Sequence, residues 1–271
     1  DDAENKLDAI IANNKRYPGI ISYIAGGGLS AGSVALYTTS IPIILAAFII
    51  GFLITLLIKL LGRAALPPFF IQIIAALSVT LISTGILWLV NHKYWEFFAL
   101  IDPTILTVGG IVLLVAGMMI VGAFQDAIDE YYVTASARLL KVVMLTLGIV
   151  LGVSMGLYAA RQFGLAFVAT PDSLSFTNTT YQYIGAVIIS ASFALSNNSR
   201  PVGLLITGAS GLLGYYVLLA VSELGLIIIP ANAVAGFTVG FTATVVSRLT
   251  RIPSQAIIDA GIVPLVPGLT L

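Results

Sequence analysis

From Gly19 to Leu271 the chain is a succession of apolar stretches, each long enough to cross a bilayer as a helix and each closed by proline or polar residues. A hydrocarbon core about 30 Å thick takes roughly 17 to 25 helical residues. Nine stretches meet that length: 19–38, 41–62, 67–91, 103–124, 137–160, 180–198, 201–222, 227–247 and 254–271. The breaks fall at Pro42, Pro67 with Pro68, Pro103, Pro201, Pro230 and Pro253, residues that punctuate helices. In lipid a segment must satisfy its own backbone polar groups, so runs of this kind are helices. With 59% hydrophobic and 9% charged residues, charge is too scarce to clothe a water-soluble domain. The expected fold is an all-α polytopic membrane protein.

Other chemistries are narrowed at the same time. The formal net charge is zero, which implies no nucleic-acid partner. There is no cysteine, so disulfides, thiol nucleophiles and thiolate metal sites are excluded. One histidine, His92, leaves little for zinc, and no cofactor or metal is implied. The run Gly26–Gly32, "GGGLSAG", is not a phosphate loop, since no Gly-Lys-Ser/Thr follows it.

Residues 1–18 read as an amphipathic segment on the cytoplasmic membrane surface, with Leu7, Ile10 and Ile11 on one helical face. A first transmembrane repeat of five helices is expected over 19–164, a linker on the outer side over 165–179, and a second repeat, four helices present, over 180–271. Lysine and arginine are retained in cytoplasmic loops. With the N-terminus inside, the inner set is Lys6, Lys15, Arg16, Lys59, Arg63, Arg138, Lys141, Arg200, Arg248 and Arg251, against Lys93 and Arg161 outside. Ten against two sets the orientation and supports the span list.

The stretch Gly110–Ile120, "GIVLLVAGMMI", returns as Gly261–Leu271, "GIVPLVPGLTL", with six of the first ten residues identical. The two copies lie in spans of opposite direction, so the halves are expected to be inverted repeats, a recurring plan of secondary transporters. By that logic a tenth span is expected to follow Leu271. Leu113 and Ala116 stand where the later copy has Pro264 and Pro267. Proline removes a backbone donor and frees the carbonyl four residues earlier. The later helix is therefore expected to break at mid-depth, whereas leucine and alanine, as in the first copy, are expected to close it.

The broken segments offer a site. Gly110, Gly117, Gly261, Pro264, Pro267 and Gly268 are expected to present backbone to a ligand. Asp259, roughly 9 Å into the core at about 1.5 Å per residue, is the one acid well inside a span, and such groups are usually functional. Gln255 lies one turn earlier on the same face. Asp126, with Arg138 as a counter-charge, is a gate or proton-relay candidate, while the surrounding Asp126, Asp129 and Glu130 read as a solvated acidic turn rather than a metal site. Gly148, Gly152 and Gly156, and Gly236 with Gly240, are spaced for close helix packing. An aspartyl protease built on Asp126 and Asp259 needs the two carboxylates in contact. Helical rise instead puts Asp126 about 34 Å along its span, at the inner boundary, and Gly-x-Gly-Asp is absent.

"QDAIDEYYVTASARLLKVVMLTLGIVLGV" (125–153) and "SRLTRIPSQAIIDAGIVPLVPGLTL" (247–271) resemble the bacterial threonine/serine exporter family, ThrE, and the similarity runs from about Tyr17 onward. The resemblance implies ten helices, a multi-pass place in the bacterial plasma membrane, and proton-coupled antiport exporting threonine and serine. It also implies a longer polar N-terminal region and a tenth helix. Related proteins with each half on its own chain are associated with succinate export, which makes a dicarboxylate the alternative ligand. No lysine or arginine sits deep in a span, and this favours a zwitterion. A homo-oligomer is left open.

Overall fold

The computed structural model describes residues 17–91, 103–115, 117–164, 177–250 and 252–266. Residues 1–16 of the expected surface segment, most of the 165–179 linker, and Pro267 and Gly268 lie outside them. Every regular element among the described residues is helical: α1 (Gly19–Ala35), α2 (Ile41–Arg63), α3 (Pro68–Asn91), α4 (Pro103–Val112), α5 (Gly117–Ile128), α6 (Tyr132–Gln162), α7 (Thr179–Ser196), α8 (Pro201–Glu223), α9 (Ile228–Thr250) and α10 (Ser254–Ile262), which runs into a 3₁₀ turn at Val263–Leu265.

The ends follow from local chemistry. Proline opens α3 and α4 and occupies the first turn of α2 and α8, where its missing N–H would have had no helical partner. Asn178 caps α7, its side-chain oxygen accepting from the Thr180 N–H at 3.1 Å. Left-handed residues follow five of the helices, among them Gly164 after α6 and Gly225 after α8, with φ of 71° and 87°.

Five helices, Ile41–Arg63, Pro68–Leu89, Tyr132–Gln162, Pro201–Glu223 and Ile228–Thr250, are long and apolar enough to cross a membrane. The remaining four expected spans differ for identifiable reasons. Stretch 103–124 is two helices, α4 and α5, and stretch 254–271 is described as a helix only to Leu265. Helices α1 and α7 have 17 and 18 residues and form the centre of the bundle, where neighbours replace lipid. Every residue of α1 from Ala25 to Ala35 is buried.

Helices α1 and α7 pack directly against each other. A Cβ at Gly32 would meet the Gly185 carbonyl at 3.0 Å, and one at Gly185 would meet the Gly32 carbonyl at 2.7 Å, so the two backbones touch through absent side chains. Around this pair, α2 and α4 pack on α1 while α8 and α10 pack on α7; α3 contacts α2 and α4 as α9 contacts α8 and α10. Helix α6 lies along α3, where Gly148, Gly152 and Gly156 face the Phe69 carbonyl, the Ile73 carbonyl and the Thr80 side chain. The glycine ladder of α6 is thus a packing surface. Gly236 and Gly240 on α9 meet nothing within 4 Å among the described residues.

The first copy of the repeated motif is broken as well, contrary to the expectation that Leu113 and Ala116 would keep its helix closed. Helix α4 ends at Val112, and Leu114 N–H turns back to the Ile111 carbonyl at 2.7 Å in a tightened turn. The reason is tertiary: Gln72 of α3 donates its Nε2 to the Leu114 carbonyl at 3.2 Å, giving that carbonyl a partner other than the next helical turn. Proline is needed only in the second copy, where the α-helix passes into the 3₁₀ turn at Pro264.

Candidate functional site

Both breaks border one cavity of about 330 Å³, within the size range of small-molecule sites. Val112, Leu113 and Val115 come from the first break, with Met119 and Val121 from α5, and Ile262, Val263 and Val266 from the second. Its polar lining is Ser22 of α1, Thr55 of α2, Ser196 of α7 and Asp259 of α10. Asp259 is the sole charged residue among the described lining residues. Gln255 donates its Nε2 to Asp259 Oδ1 at 3.0 Å, which fixes the carboxylate rotamer without neutralising its charge.

The cavity lies toward one end of the bundle, the end where the described chain begins. There Tyr17 donates its hydroxyl to the Ser199 carbonyl at 3.0 Å, and Lys59 stands 4.6 Å from the centre of the Tyr23 ring, a cation–π arrangement. Ser22, Thr55 and Ser196 are all within about one turn of these groups along their helices.

The other sequence-derived candidates are distributed as follows. Gly117 opens α5 at the edge of the first break. Gly110 and Gly261 are buried against α3 and α9, where an added Cβ would meet Val79 Cγ1 at 2.6 Å and Val239 Cγ1 at 2.7 Å; their smallness serves helix approach. Pro264 is buried in the 3₁₀ turn and shapes the cavity wall through its neighbours. Asp126 is brought to Arg138, Oδ2 to Nε at 3.1 Å, in an ion pair that lacks the alignment of a hydrogen bond. That pair joins α5 to α6 and does not line the cavity, so Asp126 and Asp259 have separate partners. Asp129 and Glu130 are exposed in the turn after α5. No cluster among the described residues has the composition of a metal site.

Sequence reasoning missed Ser22, Thr55, Ser196 and Gln72. A serine or threonine in an apolar helix carries no signal by itself, because it can satisfy its hydroxyl on its own backbone, as Thr55 does on the Gly51 carbonyl at 2.7 Å. Gln72→Leu tests the role of the remaining one. Removing the donor leaves the Leu114 carbonyl short of a partner, a loss of about 1–3 kcal/mol for a buried group. The expected result is a lowered unfolding temperature in detergent, with Gln72→Glu giving no recovery because a carboxylate supplies no N–H.

Comparison with known sequences agrees with this architecture. A family model for threonine/serine exporters matches residues 1–159, and a second, described as "Threonine/Serine exporter, ThrE", matches residues 182–271. A threonine/serine exporter of Corynebacterium glutamicum is 30% identical over 274 residues, covering 99% of this chain and 54% of its own length. A protein of Mycobacterium tuberculosis named "Probable threonine/serine exporter" is 29% identical over 279 residues, covering 100% of this chain and 51% of its own. The chain spans about half the length of these curated relatives. No solved structure matches it. An all-helical bundle with five helices long and apolar enough to cross a membrane, carrying the two family patterns over residues 1–159 and 182–271, belongs to the threonine/serine exporter family.

Proposed function

We propose that the protein exports small polar amino acids, threonine and serine, from the cytoplasm through the Asp259 cavity by exchange for protons. The observation that carries this reading is the convergence of both broken segments and one carboxylate on a single cavity. A zwitterion needs an anion for its ammonium and N–H donors for its carboxylate. Asp259 offers the first. The N-terminus of α5, whose first turn reaches the cavity at Met119, offers the second, since unpaired N–H groups and the helix dipole favour an anion there. A dicarboxylate would meet Asp259 without a lysine or arginine among the described lining residues, and the lining therefore favours the amino acid over succinate.

Competition between ammonium and proton for one carboxylate gives antiport, because Asp259 cannot hold both. The inverted-repeat plan supports alternating access. Gly51 packs on the Gly26 carbonyl and Ser30, and Gly211 packs on the Ala186 carbonyl and Ser190; each of these residues is 160 positions from its counterpart. The charge asymmetry supports a cytoplasmic side for the Tyr17 end, toward which the cavity lies. Counterflow of labelled threonine, serine and succinate into proteoliposomes of the protein tests the reading. Uptake of the two amino acids, and not of succinate, is the expected result; succinate counterflow without threonine or serine counterflow overturns it.

A further inference from the structure

The end of the bundle opposite the cavity is shut by a chain of hydrogen bonds. Tyr215 of α8 donates its hydroxyl to Gln182 Oε1 at 3.0 Å, Gln182 Nε2 donates to the Thr177 carbonyl, and Thr177 N–H donates to the Leu36 carbonyl at 3.1 Å. The chain ties α8, α7, the segment before α7 and the end of α1 together. Tyr215 is 0% exposed and Gln182 5%, so neither has water as an alternative partner. The ring of Tyr183 packs edge-on against Tyr215, centroids 6.5 Å apart.

These two residues occupy the same places in their helices as the two hydroxyl residues of the open cavity. Gln182 is the fourth residue of α7 and Ser22 the fourth of α1; Tyr215 is the fifteenth of α8 and Thr55 the fifteenth of α2. Where the cavity is open, the pair is serine and threonine, too short to meet across it. Where the bundle is shut, the pair is glutamine and tyrosine, long enough to bond and fill the space. If the helices separated, the buried Tyr215 hydroxyl and the Gln182 Oε1 would lose the hydrogen bond between them, a cost a polar ligand can offset by hydrogen bonding to both.

We propose that Gln182 and Tyr215 form the exit subsite of the transport path, closed here by their mutual hydrogen bond and lined by the freed amide and phenol when that bond breaks to release a small polar zwitterion. This rests on the transport reading above. The chain contains no cysteine, so a single cysteine reports access cleanly. Leu36, 0% exposed, follows α1 at the eighteenth position, the place that cavity-lining Ser196 holds in α7.

The experiment measures the rate at which a water-soluble maleimide labels Leu36→Cys in the purified, detergent-solubilised protein, where both ends are accessible. Leu36→Cys alone is expected to react slowly. Adding Tyr215→Phe, which deletes the hydroxyl and keeps the ring, is expected to speed labelling by up to about tenfold, the equilibrium shift for losing one hydrogen bond. Adding Gln182→Glu, which keeps an acceptor for the phenol but removes the N–H donated to the Thr177 carbonyl, is expected to speed labelling as well. Ala75→Cys, at a 0% exposed core position, controls for general loosening. An unchanged Leu36→Cys rate with Tyr215→Phe, or an equal rise at Ala75→Cys, overturns the proposal. The readout uses no substrate. A labelling shift without threonine or serine counterflow would refute the substrate assignment and keep the gate, whereas counterflow with unchanged labelling would refute the gate alone.

Discussion

Asp259→Asn is expected to abolish proton-driven accumulation of threonine while retaining weak exchange. The amide keeps the size of the carboxylate and can still accept from a substrate ammonium, but it cannot carry a proton in the return step. Gln255, which donates to Asp259 Oδ1, can donate equally to an amide oxygen, so the local fold is preserved. The driving force at stake is about 2.3 kcal/mol per proton per 100 mV, a little under two decades of concentration ratio. Imposing a pH gradient and membrane potential on proteoliposomes measures it directly. Threonine should accumulate against its gradient with the native carboxylate and only equilibrate with the amide. Full accumulation by Asp259→Asn would remove this residue from proton coupling.

The second large effect is structural and lies at the crossing of α1 and α7. A side chain at Gly185 has the Gly32 carbonyl at 2.7 Å from its first carbon and Leu36 Cδ2 at 3.1 Å. Backbone cannot step aside as a flexible side chain can, so Gly185→Leu must push the two helices apart. Overpacking of a tight core costs typically 1–3 kcal/mol, and here the contact is the main one joining residues 19–164 to 177–266. Loss of about 3 kcal/mol or more, seen as aggregation or a large fall in unfolding temperature, is the expected result. Gly62→Leu is the matched comparison, since a Cβ at Gly62 meets nothing within 4 Å among the described residues and leucine favours a helix over glycine by close to 1 kcal/mol. Equal stability of the two variants would contradict the close crossing.

How far the sequence exposed this arrangement depends on whether each feature is local. The helices and their ends were legible because apolar length, opening prolines and the solvent are all written in consecutive residues. Asp259 was legible because an acid in an apolar run has few bland explanations. The break in the first copy was not, since Leu113 and Ala116 favour helix and the group that takes the Leu114 carbonyl, Gln72, comes 42 residues earlier. Gly110 and Gly261 looked like ligand-facing backbone. A Cβ at Gly110 would meet Val79, and one at Gly261 would meet Ser210 and Val239, so both are also packing positions, and glycine reads the same from sequence in either role. The hydroxyls of Ser22, Thr55 and Ser196 became recognisable only when three separate helices brought them to one cavity.

Position within that cavity is the central claim, and cysteine protection measures it most directly. In the cysteine-free chain, Leu113→Cys reports the first break and Val263→Cys the second. Both side chains line the same space, so maleimide should reach both from the Tyr17 side of the membrane, and saturating threonine or serine should slow labelling at both in parallel. Labelling of the two from opposite sides, or at rates indifferent to both amino acids while counterflow proceeds, would show that the substrate does not pass between the broken helices.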